Sequence, residues 1–102
     1  MIAIVIPTYN EALNIKKLIP FIGKKLKDLD YRIIVADDDS PDGTWRIAQE
    51  LSKTYPITVL HRKKNRGYGE ACKDGFRQAL KESADQIITM DCDLSHNVEA
   101  VP

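Results

Sequence analysis

The sequence is poor in the features that mark secreted or membrane-spanning proteins. Its two cysteines, Cys72 and Cys92, lack Cys-x-x-Cys spacing and are too few for a disulfide framework, which favours free thiols in a reducing compartment. The apolar run from Met1 to Ile6 stops at Pro7 and is too short for a signal sequence or a membrane span. We therefore expect a cytoplasmic protein.

The chain also lacks a net charge. Lysine plus arginine and aspartate plus glutamate each number 15, so no basic field argues for a nucleic-acid partner. The charges are nevertheless segregated, because basic residues gather in 61–66 whereas aspartates gather in 37–42 and at 91 and 93. An acidic cluster with basic neighbours suits a phosphate ligand that is bridged by a metal ion.

Several common catalytic signatures are missing as well. The sequence has no Gly-x-Ser-x-Gly turn and no Walker phosphate loop, and the segment 67–69 lacks the third glycine of a dinucleotide fingerprint. Neither cysteine has an evident base, and His61 and His96 are not spaced as metal ligands. These absences disfavour nucleophilic, dinucleotide and histidine-metal chemistry.

The apolar pattern predicts an α/β fold. At 102 residues the chain has the length of one domain or part of one. Runs typical of buried parallel strands occupy 2–6, 31–36, 57–60 and 86–90, and segments with helical periodicity lie between them. The order βαβαβαβ predicts a Rossmann-like parallel sheet with right-handed crossovers and helices on both faces.

Some details of the helices are also predicted. Asn10 is a candidate N-cap for the first helix, and Asp42 or Thr44 for the second. Pro20 predicts a kink or a break in the first helix. The period of the third helix predicts an inward face made of Cys72, Gly75, Phe76, Ala79 and Leu80.

Polar residues follow the strands at three junctions, 7–11, 37–39 and 91–93. Because ligands of open α/β sheets sit beyond the carboxyl ends of the strands, we expect these junctions to converge on one edge. Asp91 and Asp93 would project to one side of an extended backbone, where two carboxylates can share a hard divalent cation such as Mg²⁺. Considered alone, this pair also fits a solvated turn after a buried strand.

The same junctions resemble those of family 2 glycosyltransferases. The resemblance is carried, in the family's order, by VIPTYNE at 5–11, VADDDSPDGT at 35–44, NRGYG at 65–69 and MDCDLSH at 90–96. Within the family, SPDGT and Asp-x-Asp-Leu-Ser-His are most similar to the dolichyl-phosphate (polyprenyl-phosphate) mannose synthases. The resemblance implies a GT-A nucleotide-sugar-binding fold and transfer of a sugar, with inversion at the anomeric carbon, to a lipid-phosphate acceptor.

The resemblance also implies ligands and roles. The implied donor is GDP-mannose, with UDP-glucose as the alternative, and the implied cofactor is Mg²⁺ or Mn²⁺. Asp91 and Asp93 would hold the metal against the diphosphate and so act in catalysis. Asp39 and Cys92 depart from the family's usual Asn or Gly and Ala, without removing a ligand. The residues implied to bind the nucleotide sugar are Pro7, Tyr9, Glu11, Ala36, Asp37, Asp38, Asp91, Cys92 and Asp93.

Members of the family continue well beyond their Asp-x-Asp motif. Residues 1–102 therefore correspond to the N-terminal, nucleotide-sugar-binding half of such a protein, in a truncated chain or a naturally short relative. The missing segments or the acceptor lipid would place the protein at a membrane surface. An uncovered edge strand or apolar face predicts self-association. The main alternative is a nucleotide- and metal-binding module without turnover. A receiver-like phosphotransfer domain is a weaker one, because the lysine after a fifth strand is missing.

Overall fold

The computed structural model describes residues 1–92, which form a four-stranded parallel sheet with helices between successive strands. The predicted order βαβαβαβ and the α/β class are confirmed. The strands are β1 (Ile2–Thr8), β2 (Tyr31–Asp37), β3 (Ile57–His61) and β4 (Gln86–Thr89). The helices are α1 (Ala12–Lys25), α2 (Thr44–Leu51) and α3 (Tyr68–Lys81).

The strands lie in the order β3-β2-β1-β4, so β4 is placed on the opposite side of β1 from β2 and β3. On one face, Ile4 and Val35 pack with Ile19 of α1 and Ala48 of α2. On the other face, Val5 and Ile34 pack against Ala79 of α3. Helices therefore cover both faces, as predicted, and the direction of winding reverses between β1 and β4. That position is the topological switch point, where open α/β sheets bind ligands.

Helix α1 departs from its prediction at both its start and its middle. It continues through Pro20 without a break, because the proline removes only one backbone bond, to the carbonyl of the exposed Lys16. Asn10 is not its N-cap: Glu11 holds that position and makes no side-chain capping hydrogen bond, although its Oε2 accepts one from Nδ2 of Asn14 at 2.7 Å. Asn10 instead adopts a left-handed conformation with φ of 54°.

The inward face of α3 is only partly as predicted. Gly75 and Ala79 are buried, but Phe76 is 47% exposed and Leu80 61% exposed. The residues that contact the sheet are the small ones, and a Cβ on Gly75 would clash with Cγ1 of Val5. This close approach turns the larger side chains outward. Among the helices of residues 1–92, none is long and apolar enough to cross a bilayer.

Strand β4 forms one edge of the described sheet. It pairs with β1 alone within residues 1–92, and its residues are exposed or half-buried. An apolar groove of about 150 Å³ runs between this strand and the end of α1. It is lined by Ile2, Ile4, Leu26, Leu29, Gln86, Ile88 and Met90.

Candidate functional site

A pocket of about 250 Å³ opens at the carboxyl edge of the sheet, next to the switch point. Strand β1 pairs with β2 as far as Thr8 and Asp37, but with β4 only as far as Val5 and Thr89. Pro7 has no backbone N–H with which to extend a ladder, and the two strands separate at this level. The pocket is lined by Pro7, Thr8, Tyr9, Glu11, Asp38, Tyr68, Ala71, Asp91 and Cys92.

The three junctions that were expected to converge do meet in this pocket. The predicted residues that line it are Pro7, Tyr9, Glu11, Asp38, Asp91 and Cys92. Two others, Ala36 and Asp37, are fully buried and do not line it. Asp93, the second carboxylate of the predicted metal pair, lies outside the described residues. Thr8, Tyr68 and Ala71 also line the pocket, although the sequence assigned no binding role to them.

Asp37 is a structural carboxylate in this arrangement. Its oxygens accept hydrogen bonds from Oγ1 of Thr8 at 2.6 Å, from the backbone N–H of Ser40 at 2.9 Å and from Oγ of Ser40 at 2.6 Å. Its side chain therefore ties the end of β1 to the loop that follows β2. Asp37 therefore supports the wall of the pocket through buried hydrogen bonds.

The loop between β2 and α2 caps the start of α1 from outside the helix. Successive backbone N–H groups donate to side chains of this loop: Asn10 to Oγ of Ser40 at 2.9 Å, Glu11 to Oγ1 of Thr44 at 2.9 Å and Ala12 to Oδ2 of Asp42 at 3.1 Å. The first turn of α1, which carries Glu11 into the pocket, is thereby fixed to the second junction. A capping partner some 30 residues away leaves no local sequence signal.

Asp42 serves the starts of two helices. Its other oxygen, Oδ1, accepts from the backbone N–H of Thr44 at 3.0 Å and from the hydroxyl of Thr44. The prediction that Asp42 or Thr44 is the N-cap of α2 is wrong, because Gly43 holds that position with φ of 79°. Burial alone would raise the pKa of Asp42, but the hydroxyl of Thr44 and the N–H groups of Ala12 and Thr44 together lower it. A carboxylate at the positive ends of α1 and α2 also interacts favourably with both helix dipoles.

A buried arginine forms an ion pair with Asp38, the pocket-lining carboxylate that directly follows β2. Arg62 is 6% exposed and pairs with Asp38, while its Nε lies 2.8 Å from Oδ2 of Asp74 on α3. The backbone N–H of Gly67 donates to Oδ2 of Asp38 at 2.6 Å. Burial would lower the pKa of Arg62, but its bonds to Asp74 and Asp38 raise it. The loop before α3 is thus tied to Asp38.

On the opposite side of the pocket, Tyr68 contacts Asp91. The hydroxyl of Tyr68 donates to Oδ1 of Asp91 at 2.6 Å, and this bond raises the pKa of Tyr68. Both side chains are exposed, in contrast to the buried Asp37 and Asp38. The contact joins the first residue of α3 to the segment that follows β4.

The donor chemistry at Asp91 fits a hard divalent cation. Among residues 1–92 no group of three or more His, Cys, Asp or Glu could enclose a metal. A closed cage is unnecessary for Mg²⁺, which proteins often hold with one or two carboxylates while the substrate's phosphates supply further ligands. The softer ligand nearby, Cys92, is 2% exposed and packs in the core. Asp91 therefore suits a metal that arrives with a diphosphate.

A second polar cluster lies beyond the pocket, at the ends of β2 and β3. The ring of His61 stacks on that of Trp45, with centroids 4.0 Å apart, and its Nε2 lies 2.6 Å from Oδ1 of Asp39. This bond lowers the pKa of Asp39. Asp39 has φ of 54°, a conformation that glycine, asparagine and aspartate tolerate best. The departure from Asn or Gly at this position is therefore conformationally conservative.

The family can be decided by comparison with known proteins. The family model described as glycosyl transferase family 2 matches residues 3–102. The chain belongs to glycosyl transferase family 2. It is 46% identical over 101 residues to a dolichol-phosphate mannosyltransferase of Pyrococcus furiosus, an alignment that covers 99% of this chain and 28% of that protein. It is 36% identical over 98 residues to a polyprenol monophosphomannose synthase of Mycolicibacterium smegmatis, covering 94% of this chain and 36% of that protein.

A solved structure supports the same conclusion. The family 2 chain superimposes with a TM-score of 0.68 on a mannosyltransferase from Pyrobaculum calidifontis that was solved in complex with GDP-Man and Mn²⁺. The two are 25% identical, and the match covers 90% of this chain and 27% of the other. The predicted family and the Rossmann-like GT-A fold are both confirmed. This chain spans about a third of the length of these relatives or less.

Proposed function

We propose that the chain forms the donor-binding half of an inverting mannosyltransferase that moves mannose from GDP-mannose to a dolichyl or polyprenyl phosphate. The observation that carries this proposal is the pocket at the switch point, because it gathers the family's motif residues from three separate junctions. The names of the two relatives support the acceptor class, and the neighbour's bound GDP-Man supports the donor.

The β1 and β2 junctions are assigned to the nucleoside. Tyr9, which is 51% exposed, offers a ring face, and Glu11 and Asp38 offer carboxylate oxygens to ribose hydroxyls or base N–H groups. Pro7 contributes an apolar wall beside them. Ala36 and Asp37 act indirectly, since they are buried and hold the backbone of this side in place.

The β4 junction is assigned to the diphosphate. Asp91 and Asp93 would hold Mg²⁺ or Mn²⁺, and Cys92 between them would fix their backbone through its buried side chain. When bound, the cation supplies Lewis-acid stabilisation of the charge that develops on the leaving nucleoside diphosphate. A phosphate acceptor is already anionic, so it needs less help from a general base than a sugar hydroxyl does. One direct displacement by that phosphate inverts the anomeric carbon.

A module that binds donor and metal without turnover is the second candidate. The pocket fits it as well, because the residues assigned above would contact only the donor and its metal. The receiver-like alternative gains no support, because Asp37 is buried and bonded to Thr8 and Ser40 rather than presented for phosphorylation.

Calorimetric titrations with GDP, UDP, GDP-mannose and UDP-glucose, each with and without Mn²⁺, test the binding assignment. We expect guanine nucleotides to bind more tightly than uracil nucleotides, and Mn²⁺ to strengthen the binding. Equal affinity for both bases, or no effect of Mn²⁺, would contradict it. Incubation with radiolabelled GDP-mannose and a polyprenyl phosphate then separates the two candidates, because only a transferase forms the labelled lipid.

We also propose that the exposed edge of β4 and its apolar groove mediate self-association of this chain. Sedimentation equilibrium of the wild type should show a mass that rises with concentration. Thr89→Lys places a charge on the edge strand and should favour the monomer, whereas Thr54→Lys, at an exposed position before β3, is the matched control. A wild type that stays monomeric at high concentration would contradict the proposal.

A further inference from the structure

We propose that Tyr68 is a positioning residue for the metal site, whose hydroxyl holds the carboxylate of Asp91 in the orientation that binds a divalent cation against the donor's diphosphate. This inference rests on the proposed function and deepens it. Neither the residue nor the contact belongs to the motif positions to which binding or catalysis was assigned above.

The geometry of the contact carries the inference. The phenolic hydroxyl of Tyr68 lies 2.6 Å from Oδ1 of Asp91, a short distance that is typical of a hydrogen bond to an ionised carboxylate. Both residues line the pocket. The partners come from different elements, 23 positions apart, so the bond fixes the start of α3 relative to the β4 junction.

The exposure of Tyr68 indicates that packing does not explain its position. The residue is 60% exposed, whereas α3 contacts the sheet through the small residues Ala71, Gly75 and Ala79. An aromatic ring at the first helical position, directed at a carboxylate in a pocket, therefore contributes mainly through its hydroxyl.

A hydrogen bond that restricts the side chain of Asp91 is expected to favour cation binding. It follows a strand of four residues at the edge of the sheet, and its side chain is exposed. A carboxylate in that situation loses rotational freedom when it binds a cation, and a hydrogen bond that restricts it beforehand reduces this loss. Carboxylates that ligate metals are commonly oriented by a hydrogen-bonding partner, whose removal lowers metal affinity about 10- to 100-fold.

A competing role for the hydroxyl predicts the opposite sign. If Tyr68 blocked Asp91, removal of the hydroxyl would strengthen metal binding. If Tyr68 positions Asp91, removal weakens it. The sign of the change in affinity therefore distinguishes the two roles.

The test compares the wild type, Tyr68→Phe and the matched control Tyr55→Phe, in which a hydroxyl is removed from a half-buried tyrosine that precedes β3 and whose ring lies beside Gly23, outside the pocket. Mn²⁺ affinity in the presence of GDP is measured by electron paramagnetic resonance of free Mn²⁺, and GDP affinity without metal by calorimetry. We expect Tyr68→Phe to weaken Mn²⁺ binding about 10-fold while leaving metal-free GDP affinity unchanged. Tyr55→Phe should match the wild type in both measurements.

A double-mutant cycle with Asp91→Ala completes the test. Tyr68→Phe should have no further effect on Mn²⁺ affinity in the Asp91→Ala background, because the carboxylate that it positions is gone. If Mn²⁺ binds to Tyr68→Phe as tightly as to the wild type, or more tightly, this inference alone is overturned. A wild type without any Mn²⁺ effect would overturn the proposed function and this inference with it.

Discussion

The two sides of the pocket differ in how their polar residues are held. On the β1–β2 side, which comprises 8–12 and 37–44, Asp37 and Thr44 are fully buried and bind several partners each. On the β4–α3 side, which comprises Tyr68 and the junction after β4, the contact between Tyr68 and Asp91 joins two exposed side chains. The first side is held by buried hydrogen bonds, whereas this contact on the second side is open to solvent.

This difference separates stability from ligand binding. Loss of a buried bond on the β1–β2 side leaves desolvated groups without partners, which destabilises the whole fold. Loss of an exposed carboxylate on the β4–α3 side returns its neighbours to water at little cost. Substitutions on the two sides should therefore give opposite patterns in unfolding and in binding experiments.

The largest loss of stability is expected for Asp37→Ala. The hydroxyls of Thr8 and Ser40 and the N–H of Ser40 would lose their acceptor in a site that is 0% exposed. Because each unsatisfied buried group costs about 1–3 kcal/mol, we expect a loss of about 3 kcal/mol in urea unfolding. Asp28→Ala, at an exposed position, is the control and should change stability by less than about 0.5 kcal/mol. Equal losses for the two variants would contradict the structural role of Asp37.

A smaller loss is expected for Gly75→Ala, which tests how α3 is placed beside the pocket. The new methyl group would clash with Val5, and overpacking of this kind costs about 1–3 kcal/mol. Gly69→Ala in the same helix meets nothing within 4 Å and should be neutral or gain up to about 1 kcal/mol from helix propensity. Thermal unfolding should show a lower Tm for Gly75→Ala and an unchanged or higher Tm for Gly69→Ala, and a destabilised Gly69→Ala would contradict this placement.

Asp42→Ala should cost about 1 kcal/mol, because it removes a capping acceptor from the starts of α1 and α2. The folded-state pKa of Asp42 lies below its ordinary value of 3.8, so its charge stabilises the fold at neutral pH. That stabilisation is lost as the pH falls through the folded pKa. Urea unfolding at neutral pH and at about pH 3 should therefore show a difference between wild type and Asp42→Ala that shrinks in acid. A difference that grows in acid would contradict this assignment.

The smallest effect on stability is expected for Asp91→Ala. Its side chain is exposed on the β4–α3 side, so the free energy of unfolding should change by less than about 0.5 kcal/mol. Urea unfolding without metal measures this change. A loss as large as that of Asp37→Ala would show that the two sides of the pocket do not differ as described.

Much of this arrangement could be predicted from the sequence, because it follows from local patterns. β-branched runs give the strands, and parallel topology then brings the junctions after β1, β2 and β4 to one edge. The different roles of Asp37 and Asp38 could not be predicted, since the two have the same chemistry and are distinguished by distant partners, Thr8 for Asp37 and Arg62 for Asp38. The capping of α1 by Asp42 depends in the same way on a tertiary contact.

The exposure of Phe76 and Leu80 could not be predicted from the sequence either. Phe76 and Leu80 are separated by one helical turn, as are Gly75 and Ala79, so the spacing alone allows either pair to face the sheet. Because α3 lies close to Val5, only the small residues Gly75 and Ala79 fit against the sheet, and this distance depends on tertiary packing rather than on local sequence. Tyr68 was missed for a related reason, because its partner Asp91 lies on another element.

The proposed function depends most on the β4–α3 side, which would bind the donor's diphosphate through a divalent cation. Its most direct test is the GDP affinity of wild type and Asp91→Ala, measured by calorimetry with and without Mn²⁺. We expect Mn²⁺ to strengthen GDP binding to the wild type. We expect Asp91→Ala to bind GDP equally with and without the metal, at the wild type's metal-free affinity. If Mn²⁺ strengthens GDP binding to Asp91→Ala as much as to the wild type, the proposed role of this side is contradicted.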